Sequence, residues 1–157
     1  MAFAPKDDVE AEVLAWLRQR CGHVSNERLL SGPGLANFAR ALAARQHVDF
    51  PINGPADVVS RANLEHCPIC KDAIERFCHL LGAAAGDLAL TYGARGGVYL
   101  TGGMIAHLGG HFDSQLAYAA FIDKGRFADY LKAIPLIRAL RTDTGLIGAA
   151  AAAMQMM

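Results

Sequence analysis

The sequence carries no excess charge of either sign, since 15 Lys and Arg residues balance 15 Asp and Glu residues along its 157 positions. A nucleic-acid or anionic membrane partner calls for a basic patch, so neither partner is expected. No apolar run reaches the ~20 residues that a membrane-spanning helix needs. The first residues also lack the basic and apolar segments of a signal peptide, so we expect a cytoplasmic location.

Cysteine is sparse as well. Four cysteines are too few for a disulfide scaffold of this length, so a reduced chain is expected. The spacing of Cys67 and Cys70 would suit a metal ion, or a redox pair at a helix N-terminus, although no predicted strand precedes them. The pattern favours core cysteines over both alternatives, because Cys67, Cys70, Ile74 and Cys78 share one apolar face of a predicted helix. The fourth cysteine is Cys21.

His107 and His111 are four residues apart, a spacing that places both side chains on one face of a helix. A zinc-binding helix of the His-Glu-x-x-His type needs a glutamate directly after its first histidine. Leu108 occupies that position here, so the pattern favours surface or packing histidines. No metal site is predicted.

Hydrophobic residues make up 53% of the chain and charged residues only 19%, which is typical of a packed globular domain. Apolar residues recur mostly at helical spacing. The first predicted helix is opened by Asp7 and Asp8 and stopped by Gly22, and the second is capped by Ser31 or Gly32 and ends near Arg45. A long helix begins at Cys67-Pro68, and a last helix, capped by residues 142–145, runs to about Met156. The other predicted helices are 56–65, 104–112, 115–121 and 125–133. The predicted strands are 98–101 and 135–140. The fold class is therefore helix-rich α/β with few strands of its own, and two strands alone make a poor sheet, so the chain is expected to belong to something larger.

The long predicted helix carries an apolar stripe and two glycines. Gly82 and Gly86 are predicted either to bend it or to let another backbone approach closely. The stripe consists of Ile74, Phe77, Cys78, Leu81 and Leu88.

Two smaller predictions concern residues 123–133. Asp123–Arg126 is interpreted as a solvated turn with a local ion pair, which contributes little to stability. Phe127, Tyr130 and Leu131 are predicted to point inward from the helix that begins at Gly125.

Two glycine pairs, Gly96-Gly97 and Gly102-Gly103, flank the first predicted strand. The β-branched and aromatic residues between them predict a buried strand that runs into a tight turn and then into a helix from Met104. Glycine lets the turn take a positive φ or approach a ligand, and a helix N-terminus favours a phosphate. The alternative, which the residues alone favour, is a connection that needs only a sharp turn.

Five stretches occur together in one order: Gly22–Leu35, Gly86–Leu90, Gly96–Gly103, Asp123–Phe127 and Gly145–Ala149. In this order and spacing they resemble the bacterial glucokinases, which belong to the actin/hexokinase-like superfamily. Any one stretch is a weak signal, but five in register are specific. The resemblance covers essentially the whole chain.

The resemblance implies an ATP-dependent kinase of glycolysis that phosphorylates the 6-hydroxyl of glucose, with Mg²⁺ accompanying ATP. It implies an actin-like, ribonuclease-H-like ATPase fold, in which two α/β lobes close over sugar and nucleotide. The glutamate that matches Glu27 contacts sugar hydroxyls, which suits a carboxylate because it accepts hydrogen bonds from two neighbouring hydroxyls. The glycine pair that matches Gly102 and Gly103 belongs to the adenosine motif, and the position of Met104 starts the helix beside the base.

The same resemblance divides the chain in two. Residues 1–143 are implied to form most of the large C-terminal lobe, and residues 144–157 a terminal helix that packs back on the N-terminal lobe. Without that lobe the helix surface should be sticky, because its apolar residues would be exposed. These residues are Leu146, Ile147, Met154 and Met157. Family members are commonly dimers through the large lobe, so a homodimer is expected.

The departures from the family limit what the chain is expected to do alone. The sequence begins where the family's sugar-binding Glu-Gly-Gly-His segment would just have ended, and it has no match to the phosphate loop or to the aspartate that acts as catalytic base. We therefore expect the C-terminal part of a glucokinase, with no catalytic residue and no turnover of glucose by this chain alone. The family's proline and arginine after the glycine pair also have no match in Met104–His107.

Two alternatives come from other functional classes. The first is a non-catalytic module that binds sugar or nucleotide and has kept Glu27 and the Gly102-Gly103 pair, which measurable affinity would reveal. The second is a structural or dimerisation module derived from a kinase lobe, which would bind neither ligand and dimerise tightly.

Overall fold

A computed structural model describes residues 1–141 and 143–155. The helices in these residues are α1 (Asp8–Cys21), α2 (Gly32–Arg45), α3 (Pro55–Leu64), α4 (Pro68–Tyr92), α5 (Gly103–Leu108), α6 (Ser114–Ile122), α7 (Ala128–Lys132) and α8 (Thr144–Gln155). The strands are β1 (Val98–Leu100) and β2 (Leu136–Arg138), and short 3₁₀ turns cover Asn26–Arg28, Gly109–His111 and Gly125–Phe127. The predicted fold class is confirmed.

The ends of the first helices follow the predicted local signals. Asp7 caps α1, since its side chain accepts a hydrogen bond from the Glu10 amide at 2.8 Å, and Gly22 ends that helix with a φ of 68°. Ser31 caps α2 in the same way, because its hydroxyl accepts a hydrogen bond from the Gly34 amide at 3.1 Å. Thr142, part of the predicted cap of the last helix, lies outside the described residues, as do Met156 and Met157.

The core forms around α4, which packs against α2, α3 and α6. Its stripe residues Ile74, Phe77 and Cys78 are buried, but Leu88 is 42% exposed, so the predicted stripe is wrong at its end. That position faces solvent because the helices packed on α4 leave one side of its last turns uncovered. No described helix is long and apolar enough to cross a membrane.

Gly82 and Gly86 allow a close approach of helix α6, which confirms one of the two predicted roles. A Cβ atom on Gly82 would overlap the carbonyl oxygen of Ala117, and one on Gly86 would lie 2.5 Å from the carbonyl oxygen of Phe121. The two glycines are one turn apart on the same face of α4, so α6 lies along that face at backbone distance.

Strands β1 and β2 form a parallel two-stranded sheet in which Val98, Tyr99 and Leu100 lie opposite Leu136, Ile137 and Arg138. The prediction of a buried first strand is wrong at its centre, because Tyr99 is 64% exposed whereas Leu100 is 7% exposed. Successive side chains on a strand point to opposite faces, and in the described residues only one face of this small sheet is covered by helices.

The region after α6 differs from its prediction in two ways. The predicted helix from Gly125 is split into a 3₁₀ turn and the short helix α7, so Leu131 is buried while Phe127 and Tyr130 are exposed. The ion pair of this region is not local, because Lys124 Nζ lies 2.7 Å from Asp87 Oδ1 on helix α4. This pair joins the end of α6 to α4 beside Gly86.

Among the described residues, Glu10 is the only charged side chain that is buried, with 1% of its surface exposed. Its Oε2 atom accepts a hydrogen bond from the Lys6 amide at 2.9 Å, while Oε1 has no hydrogen-bond partner and lies 3.7 Å from Arg76 Nη1. Burial raises the pKa of Glu10, and this effect exceeds the opposing effects of the Lys6 amide and the Arg76 guanidinium.

The substitution Glu10→Gln is therefore expected to reduce the pH dependence of stability. A carboxyl whose pKa is raised by folding makes its full contribution to stability below its unfolded pKa of 4.5, where it is protonated in both states. That contribution is lost as the pH rises through the folded pKa. The wild-type free energy of unfolding should thus fall relative to that of Glu10→Gln as the pH rises from 4.5 through the folded pKa of Glu10. Urea unfolding at several pH values measures this difference, with the exposed Glu75→Gln as control. A difference in unfolding free energy between wild type and Glu10→Gln that does not change with pH would contradict the expectation.

Candidate functional site

Glu27 lies at the centre of the 3₁₀ turn that connects α1 to α2. Its side chain is exposed, and among the described residues it forms neither a hydrogen bond nor an ion pair. It faces a groove of about 510 Å³. The other lining residues are Cys21, His23, Ser25, Arg28, Ser31, Pro33 and Asn37. An unpaired carboxylate in a polar groove of this size can accept hydrogen bonds from a small polyhydroxylated ligand.

Polar side chains of α2 support the turn that carries Glu27. Asn37 Nδ2 donates a hydrogen bond to the Arg28 carbonyl at 3.2 Å, and Arg40 donates to Asn37 Oδ1 at 3.4 Å and to the Ile52 carbonyl at 2.7 Å. Gly34 also fits closely here, since a Cβ atom at that position would overlap the backbone of Leu29. These contacts with α2 fix the backbone of the turn, so the position of Glu27 does not depend on contacts of its own side chain.

The second predicted site element, the Gly102-Gly103 turn, follows directly after β1. Gly102 has a φ of 120°, a conformation that favours glycine, and it caps helix α5, which begins at Gly103. Both glycines are exposed, and a Cβ atom on either would have nothing within 4 Å. The turn is thus open on its outer side, where a ligand could approach the backbone.

Helix α5 is shorter than predicted. It ends at Leu108, because Gly109 takes a φ of 53°, and a 3₁₀ turn replaces the rest of the predicted 104–112 helix. With only six residues, α5 supplies a smaller dipole at the glycine turn than a longer helix would.

Arg138 on β2 holds the far end of α5. Its Nη2 atom donates hydrogen bonds to the carbonyls of Ile105 at 3.2 Å and Gly109 at 2.9 Å, and its guanidinium lies 4.8 Å from the ring centre of Phe112. A cation at the C-terminal end of a helix complements the helix dipole and satisfies its last carbonyls. Sequence analysis missed this residue, since nothing local to β2 signals a contact with a helix some 30 positions earlier.

We expect Arg138→Met to loosen α5 while leaving the rest of the chain folded. The substitution keeps the length of the side chain but removes two charge-assisted hydrogen bonds, which are worth about 1.5–3 kcal/mol each. Hydrogen exchange of the α5 amides should accelerate by at least about tenfold. Arg141→Met is the control, since Arg141 is exposed and, among the described residues, pairs only with Asp143 two residues away. Unchanged exchange in α5 would contradict the expectation.

Met104 connects the glycine turn to the Glu27 groove. A Cβ atom added to Gly32 would lie 3.4 Å from the Met104 sulfur, so the thioether packs against the first residue of α2, next to the groove residues Ser31 and Pro33. The structure therefore places the predicted nucleotide residue Met104 beside the first residue of α2, which adjoins the groove that Glu27 faces.

The other end of the turn meets the terminal helix. Thr101, which precedes Gly102, shares a hydrogen bond with Thr144 at 2.6 Å between their hydroxyl oxygens. The start of α8 therefore lies beside the glycine turn. Leu146, Ile147 and Met154 on α8 are 74%, 44% and 76% exposed, so this helix presents an uncovered apolar surface.

The histidine and cysteine patterns do not assemble into a metal site. Within residues 1–141 and 143–155, no three His, Cys, Asp or Glu side chains are close enough together to hold a metal ion. Cys70 and Cys78 are fully buried, as expected of core cysteines, and Cys67 is half-buried. His107 is exposed and His111 is half-buried.

Comparison with known proteins gives the family. The sequence model of the glucokinase family matches residues 1–156. The chain belongs to the glucokinase family. It is 42% identical over 150 residues to the glucokinase of Salmonella heidelberg and 42% identical over 149 residues to that of Yersinia pestis, in each case covering 95% of this chain and 46% of the relative. The chain thus spans about half the length of the curated relatives that it matches.

A solved glucokinase has the same fold. The crystal structure of a glucokinase from an Antarctic psychrotroph matches with a TM-score of 0.88 and 34% sequence identity, over 97% of this chain and 47% of the solved chain. The five sequence stretches that resemble glucokinases are therefore explained by common ancestry. The individual roles of Glu27, Gly102, Gly103 and Met104 stay predictions.

Proposed function

We propose that this chain provides the sugar-binding carboxylate and the adenosine-binding turn of an ATP-dependent glucokinase, which converts glucose and ATP to glucose 6-phosphate and ADP. The observation that supports the proposal is the approach of the Met104 sulfur to Gly32, since a Cβ atom added there would lie 3.4 Å from it and Gly32 lies between the groove residues Ser31 and Pro33. Phosphoryl transfer between two bound substrates depends on holding them close and aligned, so two adjoining sites suit this reaction.

In this proposal Glu27 binds and orients the sugar. Its carboxylate has no other partner in the described residues, so it can accept hydrogen bonds from two neighbouring hydroxyls of glucose. The backbone of Gly102 and Gly103 approaches the adenosine part of ATP, because neither residue has a side chain in the way. Mg²⁺ enters with the phosphates of ATP, and no residue of this chain is assigned to it.

We assign no catalytic base to these residues. The base must reach the 6-hydroxyl of a bound sugar, and Glu27, the acidic residue of the groove, is already assigned to binding. Asp87 is paired with Lys124 on the side of α4 that faces α6, so it is not a candidate. The chain alone is therefore expected not to turn over glucose, and the base and phosphate loop are proposed to come from an N-terminal lobe of the glucokinase type.

A coupled assay for glucose 6-phosphate with ATP and Mg²⁺ tests the proposal in two proteins. The first is the chain itself, which should show no turnover. The second is a hybrid that joins the N-terminal half of the Salmonella heidelberg glucokinase to this chain, which should be active. Turnover by the chain alone would overturn the assignment of the base. A folded but inactive hybrid would overturn the proposed function and favour a module that only binds ligands or dimerises.

We also propose that residues 144–157 pack on that N-terminal lobe, and that the chain alone covers this surface by forming a homodimer. The exposed Leu146, Ile147 and Met154 support this, since a contiguous apolar patch marks an interaction surface. Light scattering over a range of concentrations should show a dimer that dissociates on dilution, and Leu146→Lys together with Met154→Lys should shift it to the monomer. A monomer at all concentrations would contradict the proposal.

A further inference from the structure

The first turn of helix α4 brings two cysteines together. Cys67 is the N-cap residue, Pro68 is the first residue of the helix, and Cys70 is the third. The N-cap and N3 positions are three residues apart and lie on one side of the first helical turn. The turn is held in place because the Cys67 amide donates a hydrogen bond to the Arg61 carbonyl at 3.1 Å.

The two thiols differ in how far solvent can reach them. Cys67 is half-buried, whereas Cys70 has no exposed surface. Burial, and secondly the neighbouring Cys67 side chain, raise the pKa of Cys70 to about 12. The pair therefore consists of one thiol that a small molecule can reach and one protonated thiol behind it.

Cys67 lies at the N-cap of α4, where the free backbone amides of the first turn of the helix point. Arg61, whose guanidinium pairs with Asp57 at 3.0 Å, lies beside this turn, since its carbonyl accepts the hydrogen bond of the Cys67 amide. The proposed kinase function uses none of these residues.

We propose that Cys67 and Cys70 form a reversible dithiol–disulfide pair that exchanges with small-molecule disulfides of the glutathione class. The Cys67 thiolate attacks one sulfur of the oxidant, forms a mixed disulfide and releases the first small thiolate. Cys70 then loses its proton and attacks the Cys67 sulfur, which forms the Cys67–Cys70 disulfide and releases the second small thiolate. The two cysteines lose two electrons in total, the oxidant gains them, and the two thiol protons leave with the two small thiols.

The remaining cysteines serve as internal controls. Cys21 is half-buried and Cys78 is fully buried. Trypsin separates all of them, because cleavage after Arg61 and Lys71 yields one peptide, residues 62–71, that contains both Cys67 and Cys70 and no other cysteine. The state of the pair can therefore be read independently of Cys21 and Cys78.

The experiment equilibrates the folded chain in an excess of oxidised over reduced glutathione, blocks free thiols with N-ethylmaleimide, and measures the tryptic peptides by mass spectrometry. Peptide 62–71 should become two hydrogens lighter, carry neither glutathione nor maleimide, and return fully to the doubly alkylated form on addition of dithiothreitol. Cys78 should form no disulfide and carry no glutathione. A peptide that keeps both thiols free, or that accumulates glutathione on Cys67 in the wild-type chain, would overturn the proposal.

Two variants separate the roles of the thiols, and circular dichroism checks that each is folded. In Cys70→Ala, Cys67 should accumulate bound glutathione, because the second thiol that would release it is absent. In Cys67→Ala, Cys70 should stay free, since the oxidant cannot reach it. Glutathione on Cys70 in the second variant would contradict the assigned order of attack.

Discussion

In the hybrid glucokinase, Glu27→Gln is expected to lower kcat/KM for glucose by about 100-fold or more, mainly through a higher KM. The substitution keeps the shape of the side chain, but it replaces a carboxylate that can accept two charge-assisted hydrogen bonds with an amide that has a single acceptor atom. Hydrogen bonds to a charged group are worth about 1.5–3 kcal/mol each, and about 1.4 kcal/mol corresponds to tenfold in kcat/KM. The KM for ATP should change little, because Glu27 lies in the groove and not at the glycine turn.

The matched control is Glu75→Gln, an exposed glutamate on α4 outside the groove, which should leave both KM values unchanged. Initial rates at varied glucose and varied ATP measure the two effects separately. An equal loss of activity in both variants would point to general destabilisation of the hybrid. Full activity of Glu27→Gln would remove this residue from the sugar site, even if the hybrid is an active glucokinase.

The substitution Gly82→Ala is expected to lower the free energy of unfolding by about 3 kcal/mol or more. The new methyl group would overlap the Ala117 carbonyl oxygen, so helix α6 must move away from α4 or the chain must lose this packing. Overpacking a core costs about 1–3 kcal/mol, and occasionally more, when side chains can adjust. Here the obstacle is backbone, which can adjust only by shifting a whole helix.

Gly148→Ala provides the control for this prediction. Gly148 lies in α8, and a Cβ atom there would have nothing within 4 Å. Alanine is the better helix former by roughly 0.5–1 kcal/mol, so this variant should be unchanged or slightly more stable. Thermal or urea unfolding of the three proteins measures both effects. A Gly82→Ala variant as stable as the wild type would show that α6 is not packed at backbone distance in solution.

Local signals in the sequence were sufficient to predict the end of α1, the start of α2 and a close backbone approach to α4. Ser31 and Gly22 act through atoms within a few residues of themselves, so their roles could be predicted from the sequence alone. Gly82 and Gly86 could be predicted to allow a close approach of another backbone. The partner helix could not be predicted, because no residue of α4 indicates which segment packs against it.

Burial at the edge of the fold was the part that the sequence could not predict. Tyr99, Phe127 and Tyr130 follow apolar patterns, yet all three are exposed. A periodic pattern shows which side chains share a face, but whether another element covers that face is a tertiary property. The same holds for the candidate site, where the contact of Met104 with Gly32 depends on how two distant segments pack. The groove residue Asn37 was also missed, since an asparagine inside a helix pattern carries no signal of its own.

The parallel pairing of β1 with β2 has a consequence for the order in which the chain folds. The two strands are separated in sequence by α5, α6 and α7, so their short ladder forms only after that long loop has closed. The glycine turn continues directly from β1, so we expect its order to depend on that ladder. A ligand of this turn binds only those protein molecules in which the ladder has formed. Its apparent affinity is therefore reduced in proportion to the fraction of molecules with a formed ladder, and its binding raises that fraction.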